Sequence, residues 1–268
     1  MVTLNVVITF GADLGWTSPI VLGLAAITII GLIVFIRVEM NKEVVLIDFS
    51  IFKNKPYTGA TVSNFLLNAI AGTLVVANTY VQVGRGFSPL QSGMLSLGYL
   101  VAVLSMIRVG EKILQRVGAK KPMVWGGLIT TFGVAIMALT FLPDLIYTIV
   151  VFVGYALFGL GLGIYATPST DTSVANAPAD KVGEAAGIYK MASSLGGAFG
   201  VAISATAYGM IADAGNVAFG ATVGIIVNVI FGVLSVLSVV FLVPRDDKRV
   251  TIEVDGEPVV AKTKTPTN

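Results

Sequence analysis

The sequence predicts an all-α membrane protein with seven full transmembrane helices, the last six forming one bundle. Three observations carry this prediction. Hydrophobic residues make up 55% of the 268 residues and charged residues only 12%, with a mean hydropathy of +0.89; a soluble domain carries roughly 25% charged residues. One core cannot hide that much apolar surface, whereas lipid can. Seven stretches are long enough to cross a hydrocarbon layer of about 30 Å, which takes roughly 20 mostly apolar residues in a helix. When these stretches are laid out alternately, 16 of the 17 Lys and Arg residues fall on one side, as the positive-inside rule requires.

Composition also narrows the chemistry. The chain has no Cys and no His, which excludes disulfides and thiolate metal sites and removes the usual general base near neutral pH. No enzyme activity, cofactor or metal is therefore expected. A net charge of +2 is too small to suggest a nucleic-acid partner.

Taken in order, Val2–Phe10 is apolar but too short to cross, and Gly11–Ser18 breaks it. It lacks the basic leader and cleavage site of a signal peptide, so residues 1–18 read as the remnant of a truncated span and an outer loop. The first full span is Pro19–Val38. With the cytoplasmic linker Glu39–Tyr57 it makes up residues 19–57. Six spans follow within residues 58–243: Thr58–Val81, Leu90–Val109, Pro122–Leu142, Leu145–Tyr165, Ala185–Ile211 and Val217–Val243. Residues 244–268 are a charged cytoplasmic tail with a possible small hairpin around Asp255-Gly256. The charge bias puts the amino terminus outside and the carboxyl terminus in the cytoplasm, with Arg85 as the one outer basic residue.

Two inner loops stand out. The first runs from Arg108 to Pro122 as a two-turn helical stretch, with a glycine break at Gly118. Arg108 and Glu111 can pair on one helix face, and Arg116, Lys120 and Lys121 complete a basic patch. The patch is either an inner gate or the ordinary basic content of an inner loop. The second begins with Gly159, Gly161 and Gly163. Their spacing imitates a phosphate loop, but the strand–turn–helix setting is absent, so they are assigned to close helix packing together with Gly196, Gly197 and Gly200.

Polar residues inside spans are costly in lipid and face a cavity or another helix. In the second span Asn64, Asn68 and Asn78 fall within roughly 80° of one another at about 100° per residue. That stripe either lines a substrate path or binds a neighbouring helix. Tyr99, Ser193, Ser194 and Asn228 are read the same way. No Asp or Glu is placed in the middle of a span, so the chain offers no obvious carboxylate for proton coupling.

Several phrases carry a resemblance. Gly15-Trp16-Thr17-Ser18-Pro19, Leu46-Ile47-Asp48-Phe49 and Phe52-Lys53-Asn54-Lys55 resemble the middle of 14-span drug:proton antiporters of the major facilitator superfamily. Asn54–Asn78, Phe87–Gly93 and Ile164–Asp171 are similar to the quinolone-resistance efflux (Nor) type. The resemblance implies two six-helix bundles with substrate between them near the midplane, residues 58–243 being the second bundle of the major-facilitator type. It implies a multi-pass protein of the cell membrane whose partners are a missing amino-terminal half, hydrophobic drugs, protons and the bilayer. The function implied is multidrug efflux by drug:proton antiport, with this chain inactive alone; the alternative is a non-transporting membrane remnant or subunit. Gln115, Glu111 and Ala119 depart from the superfamily's inner-loop signature, which Arg116, Gly118 and Lys120 fit.

Overall fold

A computed structural model describes residues 18–40, 49–244, 250–254 and 257–261. Its described helices are α1 (Pro19–Met40), α2 (Lys55–Ala69), α3 (Gly72–Val83), α4 (Pro89–Val117), α5 (Lys120–Met137), α6 (Asp144–Ala175), α7 (Val182–Ala212) and α8 (Val217–Leu242). The tail carries two strands, β1 (Val250–Val254) and β2 (Glu257–Ala261), paired antiparallel from Val250 opposite Ala261 to Val254 opposite Glu257. Asp255 and Gly256, and the expected remnant span at residues 2–10, lie outside the described residues.

Local signals set the helix ends. Asn54 caps α2 by accepting from the Tyr57 N–H at 3.3 Å, with Pro56 in the first turn, where a missing donor costs nothing. Ser88 and Gln91 form a reciprocal capping box at the start of α4. Asn216 caps α8 through the Phe219 N–H at 3.1 Å. Between α4 and α5, Gly118 adopts φ +77°, a conformation that favours glycine.

Among the described residues, five helices are long and apolar enough to cross a membrane: Lys55–Val83 (α2 with α3), Pro89–Val117, Asp144–Ala175, Ala179–Ala212 and Val217–Leu242. Two of the seven expected spans do not reach that standard. Pro19–Gly31 of α1 is apolar but short, and α5 has 18 residues and opens on Lys120 and Lys121.

Three boundaries differ from expectation for physical reasons. The second span is not one straight helix: Ile70, Ala71, Thr73 and Leu74 bond carbonyls three residues back, a tight turn that rotates α3 relative to α2. Asn68 precedes it, donating its amide to the Asn64 carbonyl at 2.8 Å, a back-bond that competes with the helix ladder. The span expected to stop at Val109 continues to Val117, so most of the Arg108–Lys121 loop is helix. The span expected to stop at Tyr165 runs through Pro168 to Ala175, ten residues past its apolar stretch.

Helices α2, α5, α6 and α8 form the centre, with α4 resting on α6 at one edge and α7 on α2 and α8 at the other. The main core joins Leu67, Met123, Val134, Tyr147, Tyr155, Phe158, Tyr165 and Ile225. A second cluster of Ile51, Tyr57 and Ala185 sits where a 3-10 turn, Phe49–Lys53, meets the start of α7. Glycines set the spacing: a Cβ on Gly126 would lie 2.5 Å from the Gly161 carbonyl oxygen, and one on Gly110 would lie 2.7 Å from that of Ile164, so only glycine permits these approaches.

Candidate functional site: the seam between α2 and α7

The α2–α7 seam is where several expected site residues converge. At its closed part the helices touch backbone to backbone. A methyl on Gly196 would collide with the Phe65 carbonyl, and one on Gly200 with the Ala69 carbonyl; Gly197 is looser, with the Asn68 carbonyl oxygen 3.9 Å from such a methyl. Asn64 is buried here and donates to the Tyr189 carbonyl at 3.1 Å. Asn68 is half-buried and also bonds the Asn64 side-chain oxygen at 2.9 Å.

One turn towards the start of α2 the seam opens into a groove of about 280 Å³. Phe52, Thr61, Val62 and Phe65 line one side and Ile188, Met191, Ala192 and Leu195 the other. Ser193 (half-buried) and Ser194 (exposed) lie within this stretch of α7.

The remaining expected residues lie elsewhere. Asn78, past the turn at Ile70–Ala71, accepts from the Ser92 hydroxyl of α4. Tyr99 is on α4, its ring 4.9 Å from that of Phe158 and its carbonyl against Gly159. Gly161 faces Gly126 and Thr130 of α5, while Gly163 faces Val103 and Met106 of α4. Asn228 is fully buried on α8 and donates to the Gly224 carbonyl at 3.0 Å. The asparagine stripe is thus divided between two seams.

Of the inner-gate residues, Arg108, Glu111, Arg116 and Lys121 are exposed, and among the described residues Arg108 and Glu111 form no ion pair. Lys120 is half-buried and donates to the Val240 carbonyl at 2.7 Å, tying the start of α5 to the end of α8. Gly118 is the buried joint between α4 and α5.

Two features escaped sequence reasoning. A buried hydroxyl chain joins four helices: Ser235 of α8 to Ser63 of α2 at 2.8 Å, Tyr165 of α6 to Ser63 at 2.7 Å, Ser169 to Tyr165 at 3.0 Å, and Tyr189 of α7 to Ser169 at 2.8 Å. Each hydroxyl both donates and accepts, so the chain satisfies itself without water. The second is Asp171. With α6 extended, it is a half-buried helical residue sharing a shallow depression with Ala166, Thr167, Thr170 and Val174. The Pro168 that suggested a loop is buried inside the helix, as prolines in membrane helices can be.

Long apolar helices packed through glycine contacts, with a groove between two of them, define a multi-pass α-helical membrane protein. The family follows from comparison: residues 5–201 match the model of the Major Facilitator Superfamily, and the chain belongs to that superfamily. It is 54% identical over 247 residues to the quinolone resistance protein NorB of Staphylococcus aureus strain MRSA252, and 55% identical over 247 residues to that of strain JH9. Each match covers 92% of this chain and 53% of the relative, so the chain spans about half the length of the curated relatives it matches. The family and these relatives point to a transporter rather than an enzyme.

Proposed function

We propose that this chain is the second half of a multidrug efflux transporter that exports quinolone-like drugs in exchange for protons. The observation that carries the reading is the 54% identity over 92% of this chain, set against coverage of only 53% of a quinolone resistance protein. In this reading α1 is an extra span, α2/α3 to α8 make a six-helix bundle, and residues 244–268 are a cytoplasmic tail. With α1 and α5 counted, seven spans place the amino terminus outside the cell membrane and the basic ends of α2, α4, α5, α7 and α8 inside. The α2–α7 seam with Asn64, Asn68, Ser193 and Ser194, and the α3–α4 contacts of Asn78 and Tyr99, form one wall of the drug path. Arg108, Glu111, Arg116, Gly118, Lys120 and Lys121 form the inner gate. Gly159, Gly161, Gly163, Gly196, Gly197 and Gly200 set helix spacing.

The other wall comes from an amino-terminal half, and alone the chain does not transport. The exposure of α4 supports this: Leu90, Met94, Leu97, Val101 and Leu104 all show large apolar surface, more than one helix needs for α6. The test is quinolone susceptibility of cells making this chain alone, or making it joined behind the first half of the S. aureus relative. The reading expects raised resistance only from the joined protein. If the joined protein is inserted in the membrane and confers none, the chain is a non-transporting subunit or remnant.

A further inference from the structure

The groove between α2 and α7 is almost wholly apolar, with aromatic rings from Phe52 and Phe65 and the adaptable side chain of Met191. One polar atom stands out. Thr61 is only 4% exposed, lines the groove, and its Oγ1 has no partner of hydrogen-bond geometry. Its neighbour one turn earlier, the Tyr57 hydroxyl, gives its own proton to the Ala185 carbonyl at 3.0 Å. A buried hydroxyl left unpaired is costly, and in native proteins such a group calls for an explanation.

We infer that the α2–α7 groove binds an apolar aromatic compound whose carbonyl oxygen accepts a hydrogen bond from Thr61. This deepens, and rests on, the reading of the chain as one wall of a drug path. The shape fits: an apolar site with one well-placed polar group fixes the orientation of a ring system. An acyl chain of a lipid would fill the same space but leave Thr61 unpaired, so the hydroxyl favours a carbonyl-bearing ring over a lipid tail. Asn64 is not the donor, because its amide is already committed to the Tyr189 carbonyl.

Benzophenone, a diaryl ketone that is its own photolabel, supplies the test on the full chain in lipid nanodiscs. Saturable labelling of the peptides carrying Val62, Phe65, Met191 and Leu195 is expected. Thr61→Val should weaken half-saturation about fivefold, the worth of one net hydrogen bond, and Thr61→Ser should restore it. Ala192→Trp, which fills the groove, should abolish saturable labelling there. Labelling that does not saturate, or that is unchanged by Thr61→Val and Ala192→Trp, overturns the inference. The readout is binding to this chain, so it stands or falls separately from efflux by the joined halves.

Discussion

Arg85 shows how one residue can fasten an end of the bundle. Its side chain is 13% exposed. It donates to the Thr140 and Leu142 carbonyls at 2.6 and 2.8 Å and to the Tyr80 hydroxyl at 3.0 Å, and it lies 4.9 Å from the centre of the Tyr147 ring. Burial works against its charge, but the Asp144 carboxylate and the Tyr80 hydroxyl more than offset this, and its pKa lies above the ordinary guanidinium value. The pair with Asp144 is the weaker part of the clasp, because Asp144 is 77% exposed and exposed pairs contribute about 0–1 kcal/mol. Arg85→Ala should therefore lower stability by about 2–4 kcal/mol, since several charge-assisted bonds go. Asp144→Asn should change it by under about 1 kcal/mol. Thermal unfolding in detergent measures both, and equal losses would contradict this division. From the sequence Arg85 was visible only as a lone outer charge; its carbonyl partners lie 55 and 57 residues away, and no local pattern announces them.

At the scale of elements, glycine contacts decide which helices touch. Gly200→Val should push α7 off the Ala69 carbonyl and cost about 1–3 kcal/mol by overpacking. Gly187→Ala, on the same helix with nothing within 4 Å of its would-be Cβ, should be neutral or stabilising by up to about 1 kcal/mol through helix propensity. Unfolding of both variants in one detergent would separate contact from propensity, and a Gly187 variant as unstable as the Gly200 one would refute the seam. The glycines were legible as packing residues because their spacing stood out in apolar spans. Their partners were not, since which face meets which helix depends on the whole bundle. The Asn64–Asn68–Asn78 stripe assumed an unbroken helix, and the tight turn at Ile70–Ala71 has no Pro or Gly inside it to warn of the break. Asp171 was missed for the opposite reason: Pro168 looked like an end and is not one.

For the whole molecule, the absence of Cys from the sequence makes orientation directly testable. Single cysteines at Ala214, between α7 and α8, and at Lys112, near the end of α4, are both at exposed positions. In intact cells an impermeant maleimide should label Ala214→Cys and spare Lys112→Cys; the reverse pattern would invert the topology. Membrane character, alternation of the helices and the basic end were legible because hydropathy and charge are summed over many residues. The α2–α7 groove was not, because it depends on where two helices diverge by a few ångströms.

The central claim, that this chain is one half of a proton-coupled drug exporter, is tested most directly in inside-out vesicles under an imposed pH gradient, acidic inside. Uptake of a quinolone would be measured with this chain alone and with the chain joined to the first half of its S. aureus relative. The account predicts gradient-dependent uptake by the joined protein, abolished by a protonophore, and only background uptake by the chain alone. Drug accumulation by the chain alone, or none by a correctly inserted joined protein, would contradict it.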